Sequence, residues 1–309
     1  MRILVVGAGG VGGYFGGRLL QAGRDVTFLV RPPRAAALAE HGLVIRSPRG
    51  DVHFAAPPLV TADALSGAFD LVLLSCKAYD LDDAIESFAP VVGPETAILP
   101  LLNGMRHLDV LDARFGAAHV LGGRCLISAT IDPDGAIRQF GEIHAITFGE
   151  RDGSRSERAE AIARELNGAV FDGRLSETIV QDMWDKWVFI AAAAGLTCLM
   201  RAPVGDIVAA GGTGLATALL DECAAIATAR GFAPSEAFLQ QSRAMLTALG
   251  SVLTASMLRD LERGGRTEVE HLLGDMLRRK TVAGTFSLLQ TAYVHVSAYE
   301  IRRAREAAP

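Results

Sequence analysis

The stretch Ile3-Leu4-Val5-Val6-Gly7-Ala8-Gly9-Gly10-Val11-Gly12 constrains this chain more than any other. Four branched apolar residues in a row read as a buried strand, and the glycines behind them end it. Val11–Ala22 then reads as a helix and Val26–Val30 as a second strand. Within that frame the spacing is G-x-G-x-x-G. Gly7 permits the tight turn, Gly9 lets the backbone approach a pyrophosphate, and Gly12 lets helix and strand pack closely. Ala8, Gly10 and Val11 complete the turn, and the helix start offers unpaired N–H groups and a positive dipole end to phosphates. A glycine turn by itself serves packing as readily as binding. The strand, helix and second strand around this one make it a dinucleotide-binding turn.

The strand–helix alternation continues. Arg34–Glu40 reads as a helix, Leu43–Phe54 as a hairpin around Ser47-Pro48-Arg49-Gly50, and Leu71–Ser75 as an apolar strand covered on both faces. Leu81–Phe88 and Asp109–Phe115 read as helices on either side of a strand at Ala97–Leu101. Stretches near Val120–Thr130, Ala136–Phe140 and His144–Gly149 are expected to extend the same sheet in mixed fashion, before a helix at Glu157–Asn167. From Thr178 to Arg305 the periodicity is helical. The expected fold class is α/β: a doubly wound parallel sheet over 1–172 followed by an all-α C-terminal domain over 173–309, with the boundary near Asp172-Gly173. A cleft between two such domains is the default place for a substrate.

Composition excludes several classes. A formal net charge of −5 leaves no global basic field for nucleic acid or an anionic membrane. The chain opens directly into a strand, not in signal-peptide order. Its most apolar segment, Trp187–Met200, spans only about 21 Å as a helix against a hydrocarbon layer of about 30 Å. Cys76, Cys125, Cys198 and Cys223 are widely spaced with no Cys-x-x-Cys pair, which fits free thiols in a reducing cytosol and no metal site. The expectation is a cytoplasmic protein with a small-molecule ligand.

The cations are more specific. Arg31 ends the second strand where an NAD site carries Asp or Glu, and Arg34 follows. A guanidinium suits a 2′-phosphate, so NADPH is expected over NADH. The chain holds 27 arginines and only three lysines, Lys77, Lys186 and Lys280. Lysine can give up a proton where arginine does not. Lys77 follows the third parallel strand and Asn103-Gly104 the next, at the carboxyl edge where such sheets bind ligands. Lys186 lies in Trp184-Asp185-Lys186-Trp187 at the head of the apolar helix, where a snorkelling lysine is the bland alternative. Ser256–Leu261 and Arg266-Thr267-Glu268 interrupt helical segments around Gly264-Gly265. Thr267 capping a new helix, with Glu268 in its first turn, is the alternative to function there.

In order and spacing, Gly7–Gly12, Arg31, Cys76-Lys77-Ala78, Asn103-Gly104, Trp184–Lys186, Ser256–Asp260 and Arg266-Thr267-Glu268 resemble the ketopantoate reductase family over nearly the whole chain. These are NADPH-dependent 2-dehydropantoate 2-reductases of pantothenate biosynthesis. The resemblance implies a Rossmann-like NADP-binding domain followed by a helical catalytic domain. It implies that Lys186 is the general acid for the ketone oxygen, and that Glu268 orients the lysine or binds substrate and cofactor ribose. It gives Asn103 the nicotinamide ribose and substrate, Lys77 the cofactor side, and Ser256 the substrate carboxylate.

The chain also departs from the family pattern. Ile190, Ala194 and Val204 stand where asparagines are usual, and only Asn103 and Asn167 occur at all. Val282-Ala283-Gly284-Thr285-Phe286 lacks the customary proline and asparagine. Ser256 and Thr197 are the hydroxyls left to meet a polar substrate tail. The expected activity is NADPH-dependent reduction of a 2-oxo acid to a 2-hydroxy acid, with 2-dehydropantoate as substrate. The alternatives are a more apolar 2-oxo acid and a non-catalytic NADP(H)-binding regulator. Alanine-rich helices around Ala191 and Ala209–Ala218 suit either a homodimer contact or the domain's own core.

Overall fold

The computed structural model describes residues 1–281 and 287–307, so the Val282–Phe286 departure lies outside the described residues. The chain divides into two compact units, Met1–Leu102 with His107–Val180, and Asn103–Arg106 with Gln181–Pro309. The change of pattern at Asp172-Gly173 begins a further strand of the first unit, which runs on to Val180.

The first unit contains β1 (Arg2–Val6), α1 (Gly10–Gln21), β2 (Asp25–Leu29), α2 (Pro32–His41), β3 (Leu43–Arg46), β4 (Val52–Phe54) and β5 (Leu59–Val60). It continues through β6 (Leu71–Leu74), α3 (Leu81–Phe88), β7 (Ala97–Pro100), α4 (Arg106–Phe115), β8 (Gly122–Ile131), β9 (Ile137–Gly149), α5 (Glu157–Leu166) and β10 (Asp172–Leu175). One sheet has the order β5-β2-β1-β6-β7 with every pairing parallel. The short runs Ile3–Val6 and Leu71–Leu74 form its buried centre, as unbroken apolar strands do.

The β8–β9 hairpin corrects the sequence expectation. It does not extend this sheet but builds a second one, β10-β9-β3-β4, with β8 on β9; an isolated Ile98–Val120 bridge reaches back to β7. β9 is one long strand where the sequence showed two, because a bulge carries Ile127 opposite His144 and Ser128 opposite Phe140. The α1 helix packs against both sheets. A Cβ on Gly16 would come within 2.5 Å of Phe28 in the first sheet, and one on Gly17 within 2.5 Å of Ile45 in the second. Tyr14 reaches the second sheet from the same helix, its hydroxyl 2.6 Å from His144 Nδ1.

The second unit is helical among the described residues. Its helices are α6 (Ile179–Met200), α7 (Val204–Ala209), α8 (Thr213–Ala229), α9 (Glu236–Leu246), α10 (Ser256–Glu262), α11 (Asp275–Arg278) and α12 (Leu288–Glu306), with a π-helical turn at Glu270–Gly274. The α6 helix has 22 residues, or about 33 Å, not the 21 Å expected from its apolar run. Gln181, Asp182, Asp185 and Lys186 mask its first turns in the sequence, yet Met183, Trp184, Trp187 and Val188 on the other side are buried. By length and composition α6 could cross a membrane, but it is mostly buried inside the chain, as a core helix is. Ala191 to Ala194 are buried in that core, and Gly195 lies against Ala292 and Leu219, so this alanine-rich face is used within the unit. None of the four cysteines is in a disulfide, and burial pushes the Cys198 thiol up to about 12, which keeps it protonated.

Candidate functional site

At the carboxyl edge of β1 the glycine turn is held by its backbone. Gly7 has φ of +92°, a conformation that costs glycine nothing, and its N–H donates to the Leu29 carbonyl at 2.9 Å. Ser75 Oγ donates to the carbonyls of Val6 at 2.9 Å and Gly7 at 3.2 Å. A Cβ on Gly12 would fall 2.0 Å from that Oγ and 2.2 Å from the Gly7 carbonyl oxygen. Gly12 therefore lets α1 touch the end of the sheet. Gly9 differs: a Cβ there would meet nothing within 4 Å. It leaves an open approach to the start of α1, which has no side-chain cap and no acidic residue in its first turn. Those are the requirements of a pyrophosphate site. Gly10 abuts the Ala129 backbone, Val11 is half-buried, and buried Ala8 accepts from Arg34 Nε at 3.1 Å.

The adjoining strand ends supply the charged groups. Arg31 precedes α2 and pairs with Asp80 at 3.0 Å. Half-buried Lys77 opens the short 3-10 turn Ala78–Asp80 after β6. Arg34 donates to Ala8 and, at 3.2 Å, to the Gly135 carbonyl, and burial lowers its pKa.

In the second unit three segments meet at one piece of backbone. Gly104, with φ of +79°, comes so close that a Cβ would sit 2.7 Å from the His271 carbonyl oxygen. Trp187 Nε1 donates to the Leu272 carbonyl at 3.0 Å. His271 and Leu272 in turn donate their N–H groups to the Glu268 carbonyl. Asn103, Lys186 and Glu268 are thus each within three residues of the same junction. Asn103 is half-buried, and its amide makes no hydrogen bond among the described residues. Glu268 is buried in the approach to the π-helical turn, a distortion frequent at functional sites.

Lys186 lies about two turns inside α6, not at its head, on the half-buried face with Ile190. Trp184 and Trp187 on the buried side have ring centroids 5.0 Å apart. The Lys186 ammonium makes no hydrogen bond or ion pair among the described residues, so no ion pair joins it to Glu268. Ser256 is exposed at the first position of α10, away from this junction in sequence, with no side-chain bond. Ala194 and Val204 are buried.

The alternatives weighed on sequence now separate. Among the described residues Thr267 Oγ is buried without a hydrogen-bond partner and caps no helix, while the Thr267 N–H donates to Glu300 at 2.6 Å. Thr197 Oγ donates to the Ala193 carbonyl at 2.7 Å and accepts from the Ala255 N–H at 3.4 Å, so it is already engaged. Lys280 is structural: it pairs with Glu222 at 2.9 Å, and Glu222 also accepts from the Leu289 N–H. His271 was not visible as a site residue in the sequence. It is half-buried beside the Glu268 turn, and burial, then the Arg106 charge, lower its pKa. A histidine three residues after Glu268 was the available signal.

Comparison with known proteins decides the family. The model described as Ketopantoate reductase PanE/ApbA matches residues 3–153, and its C-terminal counterpart matches residues 178–300. The chain belongs to the ketopantoate reductase family. Among relatives, it is 40% identical to the uncharacterized oxidoreductase YkpB of Bacillus subtilis (strain 168), over 98% of this chain and all of that one. It is 29% identical to the 2-dehydropantoate 2-reductase of Mesorhizobium japonicum over 88% of this chain and 89% of the other. The crystal structure of 2-dehydropantoate 2-reductase from Methylococcus capsulatus superposes with a TM-score of 0.85 at 28% identity, covering 98% of each chain. A Rossmann-like nucleotide-binding unit followed by a helical region is thus the family's architecture, and the chain is an oxidoreductase of that family.

Proposed function

We propose that this ketopantoate reductase family member reduces a 2-oxo acid to a 2-hydroxy acid with NADPH, Lys186 acting as the proton donor. The observation that carries the reading is the Lys186 ammonium itself, half-buried on α6 and without a partner among the described residues. A cation held in that state is available to an anionic oxygen and can release a proton to it. The nicotinamide supplies the hydride when bound. The open approach at Gly9 and the uncapped start of α1 would hold its pyrophosphate, Arg31 its 2′-phosphate and Lys77 its neighbouring groups. Asn103 would present its amide to substrate and ribose, and Glu268 would fix the turn beside Lys186. Ser256 would take the substrate carboxylate.

2-Dehydropantoate is the first substrate to test, and a second reading competes on a specific observation. Ile190 stands one turn from Lys186 on the same half-buried face, and the Thr197 hydroxyl is engaged. A terminal substrate hydroxyl left without a partner there would cost about 1–3 kcal/mol, roughly 5–150-fold. An apolar 2-oxo acid incurs no such cost. NADPH oxidation measured with 2-dehydropantoate, 2-oxoisovalerate and larger apolar 2-oxo acids tests both readings. Turnover with apolar substrates exceeding that with 2-dehydropantoate supports the second. A tenfold advantage for 2-dehydropantoate removes it, and no oxidation with any of them would indicate a non-catalytic cofactor-binding protein.

A further inference from the structure

β1 lies between β2 and β6, so the residues following those two strands stand on either side of the glycine turn that follows β1. Arg31 follows β2, Asp80 ends the turn after β6, and the two are joined by their 3.0 Å ion pair. The pair spans the carboxyl edge of β1 as a strap. Resting on the reading of that edge as the dinucleotide site, we propose that Asp80 sets the cofactor preference. It holds Arg31 against its own carboxylate, so a 2′-phosphate has to displace that carboxylate whereas a 2′-hydroxyl does not.

The two ends of the strap are unequal. The Asp80 side chain is 22% exposed and that of Arg31 64%. Asp80 sits in a turn closed by its own N–H donating to the Lys77 carbonyl at 2.9 Å, so the carboxylate is the fixed end and the long guanidinium arm the movable one. Asp83 adds negative charge to the surroundings of Arg31. A dianionic phosphate arriving here meets a guanidinium that a carboxylate already engages, and displacing that carboxylate is the penalty. A ribose hydroxyl meets no such penalty. Arg34 is anchored elsewhere: its Nε and Nη1 donate to the backbone carbonyls of Ala8 and Gly135, and its Nη2 is buried. Asp80 is in this sense a positioning residue, acting through Arg31, and it leaves the wild-type protein with only a modest preference for NADPH over NADH.

The test is calorimetric titration of the full chain with NADPH and with NADH. Asp80→Asn keeps the shape and removes the charge. It should tighten NADPH by about three- to tenfold and leave NADH within about twofold, with the gain shrinking as salt rises. In an Arg31→Ala background the same substitution should change NADPH affinity by less than about twofold. Should Asp80→Asn fold poorly, Asp80→Ser makes the same comparison. NADPH affinity unchanged or weakened in a variant of wild-type melting temperature would overturn the role of Asp80, as would equal shifts for both cofactors. Failure of the wild-type protein to bind either cofactor would instead overturn the dinucleotide reading and take the proposal with it.

Discussion

In the Rossmann-like unit the glycine turn is held through its main chain: the Gly7 N–H donates to the Leu29 carbonyl, Gly12 packs on the Gly7 carbonyl, and the Ala8 carbonyl accepts from Arg34. In the helical unit Asn103, Lys186 and Ser256 make no side-chain bond at all among the described residues, although the backbone beside two of them is tightly fixed. A phosphate can be bound by amides and a dipole, so the first unit can place its function in the main chain. Proton transfer needs a side chain that is positioned yet uncommitted, and on the proposed reading Lys186 meets that need, with its neighbour Trp187 fixed on the Leu272 carbonyl and its own ammonium unbonded among the described residues.

The sharpest way to break this contrast is Lys186→Ala. We expect kcat to fall by about 10²–10⁴-fold, with the dissociation constant for NADPH little changed, as removal of a group acting in the transition state would do. An equal loss of cofactor binding would place Lys186 on the binding side instead. Within the first unit, Gly12→Ala and Gly9→Ala separate packing from binding. The former should destabilise folding by about 1–3 kcal/mol in urea denaturation, since its Cβ meets backbone. The latter should leave stability within about 0.5 kcal/mol while weakening NADPH binding. Similar urea midpoints for both would refute the distinction.

Arg31→Ala should raise the KM for NADPH by about three- to tenfold and leave that for NADH within twofold, a discounted effect because the guanidinium is exposed and already paired. The smallest effect tests an orphaned hydroxyl next to Glu268. Thr267→Val removes a buried oxygen that has no hydrogen-bond partner among the described residues and should stabilise the fold by about 0.5–1 kcal/mol. Destabilisation would mean that the hydroxyl does have a partner.

Strands carrying their own signal were legible in the sequence. Ile3–Val6 and Leu71–Leu74 are unbroken apolar runs, and the turn chemistry at Gly7–Gly12 needs no distant partner to be recognised. What escaped depends on contacts far apart in the chain. The second sheet requires β3 and β10 to find β9, and the strap requires Arg31 to meet Asp80. The start of α6 was hidden because its polar face breaks the apolar run while its other face is core. The same holds at the site: Lys186 stood out through lysine scarcity, but its freedom from Glu268 and the packing of Gly104 on His271 exist only in three dimensions.

The central claim is that Lys186 donates a proton and does not merely present a charge. Lys186→Arg isolates that difference, because the guanidinium keeps the positive charge and is effectively never deprotonated. With the substrate that the wild-type protein reduces best, the account predicts that kcat in Lys186→Arg falls to within about tenfold of the Lys186→Ala value while NADPH still binds. A Lys186→Arg protein retaining more than about half of the wild-type kcat would contradict it.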